Sequence, residues 1–190
     1  NTMIKDPSKN IIITANKIVY EKNKENVIAS GKVSIIDNSQ NLNLKADKII
    51  YSNTDNLIKA TDNVIFNDVN KKILISAKEI LYLKNEQKIL AQSNVVLNDL
   101  NKKVKVTTDK ITYIKNQDRF FTQGKTLAEI ESKYRFKSKN VFFERDKMRL
   151  YSAEKTVIEK IDNTLYELSS FDYKIKDEYL KGTDITLTEN

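Results

Sequence analysis

The chain has no cysteine, no histidine and no tryptophan, and only one proline and three glycines among its 190 residues. The first two absences remove thiol nucleophiles, disulfides, imidazole bases and nearly all zinc sites together, so neither an enzyme nor a bound metal or cofactor is expected. No apolar run approaches the roughly 20 residues of a membrane helix, and Asn1 to Asn10 lack the basic-then-apolar layout of a secretory signal. The expectation is a soluble, processed or excised piece. Arginine is scarce as well: four of the 33 basic residues, Arg119, Arg135, Arg145 and Arg149. Base readout favours arginine forks and clustered charge, whereas these lysines are spread along the whole chain, so nucleic acid is not an expected partner. The formal charge of +7 still suggests an anionic partner, unless the lysines merely coat a solvated face.

What the chain does have is a repeat. Ala15-Asn16-Lys17-Ile18-Val19-Tyr20 returns as Ala46-Asp47-Lys48-Ile49-Ile50-Tyr51, then as Ala77-Lys78-Glu79-Ile80-Leu81-Tyr82, then as Thr108-Asp109-Lys110-Ile111-Thr112-Tyr113, each tyrosine 31 residues after the last. A second element keeps the same step: Ala29-Ser30-Gly31-Lys32-Val33, Ala60-Thr61-Asp62-Asn63-Val64, Ala91-Gln92-Ser93-Asn94-Val95 and Thr122-Gln123-Gly124-Lys125-Thr126. Weaker copies continue through Val141-Phe142-Phe143 and Phe171-Asp172-Tyr173, leaving no room for a second domain. Residues 1–190 are therefore read as one domain with a flexible start over 1–9.

Polar clusters such as Glu21 to Glu25 and Asp37 to Asn41 separate stretches rich in Ile, Val, Thr, Tyr and Phe that alternate at period two, so each repeat reads as two strands. In the first strand Ile11, Ile13 and Ala15 face one way and the apolar side resumes at Ile18 and Tyr20. Two residues, Asn16 and Lys17, then stand where alternation allows one, the count of a β-bulge. The same slip recurs at each repeat and would bend every strand alike. Stacking about 12 such strands at about 4.8 Å predicts a V or flattened roll on the order of 55 Å long. Its inward side is apolar, and Thr14, Asn43, Lys45, Ser76, Lys105 and Thr107 face water. A self-packed sandwich core is the bland alternative.

The pattern Ile-x-Ala-[Asp/Asn]-Lys-Ile-x-Tyr followed by Ala-x-Gly-x-Val resembles the OstA-type repeats of the lipopolysaccharide transport family, over about residues 10 to 188. The resemblance implies an all-β, open β-jellyroll (a β-taco) whose inward residues hold lipid A acyl chains in the periplasm, at or near the outer membrane. Those inward positions are Ile13, Ile18, Val33, Ile35, Leu44, Ile49, Val64, Phe66, Ile75, Ile80, Val95, Leu97, Val106 and Ile111. The family's lipid-contacting aromatic column falls on Tyr20, Tyr51, Tyr82 and Tyr113. Implied partners are lipopolysaccharide and other jellyroll modules of that system, joined by edge-strand pairing that could include self-association. An outer-membrane barrel is a further partner if the chain comes from the assembly member. The run Tyr166 to Tyr173 with Leu180-Lys181-Gly182 looks like the segment that precedes that barrel. Headgroup phosphates should stay wet at an open mouth between the arms, with Lys17, Lys48 and Lys110 as rim candidates. A structural or adhesive β-solenoid with a dry core is the rival from another class.

Overall fold

The computed structural model describes residues 2–7 and 10–188. With alternation this persistent, strands take about seven in ten of the described residues. They are β1 (Thr2–Asp6), β2 (Ile11–Ala15), β3 (Lys17–Glu21), β4 (Asn26–Asp37), β5 (Leu42–Ser52), β6 (Leu57–Asp68), β7 (Ile73–Leu83), β8 (Lys88–Asp99) and β9 (Val104–Ile114). They continue as β10 (Arg119–Ile130), β11 (Tyr134–Lys139), β12 (Phe142–Glu144), β13 (Arg149–Ser152), β14 (Thr156–Lys160), β15 (Leu165–Leu168), β16 (Ser170–Lys174), β17 (Tyr179–Thr183) and β18 (Thr186–Thr188). Two single 3₁₀ turns, Lys22–Lys24 and Lys115–Gln117, are the helical exceptions among the described residues.

All eighteen segments belong to one antiparallel sheet. From β4 to β10 each strand pairs along its full length with the next. At both ends the long strands split into halves: β2 and β3 pair with the two halves of β4, and β11 and β12 with the two halves of β10. Beyond them β13 with β14, β15 with β16 and β17 with β18 each make one further bent rung. The eighteen segments thus form the expected twelve bent strands plus the half-strand β1, the higher count arising where the bend interrupts the backbone. The start expected to be flexible, residues 1–9, contains a strand: Thr2–Asp6 pairs with Ile11–Ala15; Asn1, Ser8 and Lys9 lie outside the described residues.

The bend falls at the height the parity slip indicates, but the extra residue lies on the second strand of each repeat rather than the first. Gly31-Lys32, Asp62-Asn63 and Ser93-Asn94 stand opposite the single residues Asp47, Lys78 and Asp109. These residues take left-handed backbone angles, with φ of 76° and 49° in the first pair and 62° and 50° in the second. At Gly31 a Cβ would lie 2.8 Å from Asn16 Nδ2, so any larger residue at the first bend must displace the Asn16 side chain.

The bend gives every rung two arms. The first arm holds the β2 side, with Val33–Asp37, Leu42–Ala46 and their equivalents; the second holds the β3 side, with Asn26–Ser30, Lys48–Ser52 and theirs. Their inward faces meet in one apolar core that runs from Ile11 to Ile175 without interruption. Phe66 on the first arm touches Tyr82 on the second with ring centroids 6.2 Å apart, and Phe136 lies 5.1 Å from Phe171 in the same sense. Of the residues expected to face water, Lys45, Lys105 and Thr107 are exposed, and Thr14, Asn43 and Ser76 are half-buried.

Candidate functional site: the apolar interior and its seam

Of the eighteen inward positions expected to face a lipid, sixteen are buried in this core; Ile18 is only half-buried, and Tyr20 is 56% exposed. Tyr20 differs because β1 covers β2 but not β3, so its half of the first rung has no outer neighbour among the described residues. The column is therefore Tyr51, Tyr82 and Tyr113. Ile73, Ile75, Ile80, Ile89, Val95, Leu97 and Tyr113 are 0% exposed, so no water-sized space adjoins them. In this state the middle of the interior is dry and packed, not an open trough.

What closes it is a row of residues at the free ends of the arms. Asp37, Asp68 and Asp99 end the first-arm halves of β4, β6 and β8. In each, Oδ1 accepts a hydrogen bond from the backbone N–H three residues on, Gln40, Lys71 or Lys102, at 3.0–3.2 Å, which shapes the turn. The other oxygen reaches across the mouth. Asp37 Oδ2 lies 2.9 Å from Lys84 Nζ, Asp68 Oδ2 lies 3.0 Å from Lys115 Nζ, and Asp99 Oδ2 lies 2.5 Å from Arg145 Nε. Arg145 also donates from Nη1 to Asp118 at 3.0 Å, and Lys71 Nζ reaches the same carboxyl group at 2.7 Å. Asp118 feels both burial, which pushes it up, and these two cations, which outweigh burial and hold it below the usual carboxylate range.

The tyrosine column lies directly beneath this seam. Burial, helped by Asp37 and Asp68, pushes the Tyr82 hydroxyl up to about 12, and Tyr113 moves the same way for the same reason. The Tyr113 hydroxyl is buried and has no hydrogen-bond partner among the described residues. These phenols thus stay neutral and pack under the ion pairs.

The acids of the seam fall in the polar clusters between strands, which by themselves predict only turns; Asp37, Asp68 and Asp99 nevertheless keep the 31-residue step, as do Lys84 and Lys115. Periodicity could have found each row, but not that the rows face each other. Conversely, Lys17, Lys48 and Lys110 are exposed at the bend, the edge of the roll opposite the seam. They do not line a mouth: each is paired in register with Ser30 or Gln92 directly beside the bulge that serves as the hinge between the arms.

The seam changes toward the C-terminal end. The positions equivalent to Asp99 and Arg145 one step on are Ile130 and Ile175, both buried, and the next acid position is Lys160. There the mouth is bridged by Lys133 and Glu178, 3.0 Å apart and 52% and 53% exposed. Just inside lies a cavity of about 270 Å³ between the arms, lined mainly by Tyr134, Phe136, Ile158, Tyr166, Tyr173 and Leu180. Burial raises the Tyr173 hydroxyl above its ordinary value. Along the bend the change is parallel: Ala46, Ala60 and Val64 are followed at equivalent heights by Thr108, Thr122 and Thr126, whose hydroxyls bond one another at 2.7–3.3 Å.

No group of three or more potential metal ligands occurs among the described residues, and none of their helices is long and apolar enough to cross a membrane. No protein-family model matches the chain. No curated protein matches it either. Among solved structures it is similar to LptH, described as the LptA homologous periplasmic component of the conserved lipopolysaccharide transport device from Pseudomonas aeruginosa. The identity is 8% and the TM-score 0.29, over 98% of this chain and 99% of that one. A superposition that loose decides nothing; the fold stands on its own strand pairing.

Proposed function

We propose that the chain carries the acyl chains of lipopolysaccharide through the periplasm, as one module of a bridge and without chemistry of its own. The resemblance to OstA-type repeats supports this reading, and the observation that carries it is the single apolar core that runs unbroken from the first rung to the eleventh, with Leu180 of the twelfth packed against it. A chain of a dozen carbons gains about 0.8 kcal/mol per methylene, on the order of 10 kcal/mol in all, enough to compete with packed side chains for that interior. Loading then means parting the arms along the seam. At the ends, Val19 and Tyr20 of β3 and Tyr179 and Leu187 of β17 and β18 are exposed on strands free to pair outward, which suits edge-to-edge joining with a neighbouring module. The segment Tyr166 to Gly182 fits the assembly member of the family, which would set the module beside an outer-membrane barrel.

A photo-crosslinking residue at Ile49 or Tyr82 should capture lipopolysaccharide, and one at Lys45 or Thr107 should not. Capture from neither inward position, with the lipid saturating, would overturn the proposal. The second reading, a dry structural or adhesive module binding polysaccharide or protein on its outer face, is favoured by the fully packed middle of the core. It expects no capture from the inward positions.

A further inference from the structure

The roll is fastened unevenly. Over its first two-thirds the mouth is shut by buried pairs, Asp37 with Lys84, Asp68 with Lys115 and Asp99 with Arg145, and removing either partner strands a charge away from water. Opening there exposes several such charges together. At the next step the buried pair is replaced by Ile130 and Ile175, and the ion pair that bridges the mouth among the described residues, Lys133 with Glu178, is exposed on both sides and screened by salt. That is also where the core ceases to be fully packed. The cavity behind Glu178 measures about 270 Å³. An apolar cavity of roughly 150 Å³ accommodates a benzene ring, so this one has room for a chain on the order of ten carbons. Aromatic rings from both arms line it, Tyr134 and Phe136 facing Tyr173, and Lys160 stands at its lip with Asp162 as its near partner at 3.0 Å.

We infer that this cavity is an acyl-chain port: a single saturated chain with an anionic head enters between the arms at the C-terminal third, its head beside Lys160, with Lys133 and Glu178 as the clasp. The inference rests on the carrier reading for its place in transport, but the port itself requires only an amphiphile. Free fatty acids and the chains of lipopolysaccharide share this chemistry.

The chain has no tryptophan and no cysteine, so single reporters are unambiguous. Tyr166→Trp places an indole in the port; Tyr82→Trp, with Tyr51→Trp as its substitute should it fail to fold by circular dichroism, places one under the fastened seam. The probes are terminally brominated fatty acids of eight to eleven carbons, used as monomers. Tyr166→Trp emission should be quenched, with affinity rising about fourfold per added methylene until the cavity is filled. The Tyr82→Trp emission should not change. Joining Lys133→Cys to Glu178→Cys with a short bis-maleimide in the Tyr166→Trp background should abolish the quenching. Quenching of the Tyr82 reporter alone would overturn the port and leave the carrier reading standing. No quenching at either reporter would overturn the port, and capture of lipopolysaccharide at Ile49 would then decide the carrier reading separately. Recovery of emission on adding lipopolysaccharide would assign the port to lipid-borne chains; quenching that lipopolysaccharide cannot reverse would keep the port for free fatty acids and count against the carrier.

Discussion

The two ends of this roll solve one closure problem differently. From β2 to β10 the repeat keeps its 31-residue step, small apolar residues fill the bend as far as β8 before threonines take over on β9 and β10, and buried aspartates shut the mouth against Lys84, Lys115 and Arg145. From β11 onward the strands break at the bend, hydroxyls continue there at Ser138 and Thr156, and tilted aromatic rings meet across the core in place of the aliphatic columns. A regular repeat permits one fastening to be copied from rung to rung. Where the period drifts, the same position supplies Ile130, Ile175 or Lys160, and the mouth relies on side-chain packing and one exposed pair.

The sharpest break of this contrast is Asp68→Ala, which leaves Lys115 buried and unpaired. It should destabilise the protein by about 3–5 kcal/mol in urea unfolding, whereas Asp68→Leu combined with Lys115→Leu should cost far less. Lys133→Ala at the weak clasp should leave the unfolding midpoint where it is. A smaller effect separates a glycine inside a strand, Gly182 in β17, from one at a bend, Gly124. At Gly182 an added Cβ would overlap Leu168 and lie 2.9 Å from the Ser170 carbonyl, so Gly182→Ala should cost about 1–3 kcal/mol through overpacking. At Gly124, with φ of 84° and only Asp109 Oδ2 within 3.8 Å, Gly124→Ala should cost about 1–2 kcal/mol from backbone conformation alone.

Acid should act on both regions. Asp118 in the seam and Asp172, held low chiefly by its hydrogen bonds from Arg149, titrate below their ordinary value when folded. Their stabilisation is complete above the unfolded value, about 4, and is lost as pH falls through the folded values. Thermal melts should therefore fall below about pH 4, and Asp118→Asn should flatten that fall. At the alkaline end Tyr82 works in the opposite sense: its contribution is full below 10.0 and disappears as pH rises toward about 12, so Tyr82→Phe should remove part of the alkaline loss. The smallest change is Thr126→Val, which deletes one member of the hydroxyl chain at the C-terminal bend and should cost about 1 kcal/mol.

Much of the fold was legible because side-chain alternation is a local signal. The inward columns at Ile49, Val64 and Phe66, the height of the bend and the antiparallel pairing all follow from period two with one recurrent slip. The extra residue was assigned to Asn16 and Lys17 instead of Gly31 and Lys32 because parity marks where the apolar face resumes, not which of two paired strands is longer at the hinge. The left-handed residues of the turns were hidden too: Glu25, Lys72, Lys103 and Met148 all have φ near 50° without the glycine or asparagine that usually signals such a backbone. For the candidate site, the residues of the interior were readable but their accessibility was not, and the headgroup lysines were placed on the wrong edge.

From sequence alone come the strands, the repeat length, the apolar inward face and the sites of bending, since each depends on neighbours a few positions apart. Whether the bent arms stand open or shut is a matter of contacts between residues about 47 positions apart, such as Asp68 and Lys115, whose meeting depends on how far the hinge turns. That angle arises from the packing of Phe66 against Tyr82 and of every rung against the next, so only the assembled tertiary structure decides it.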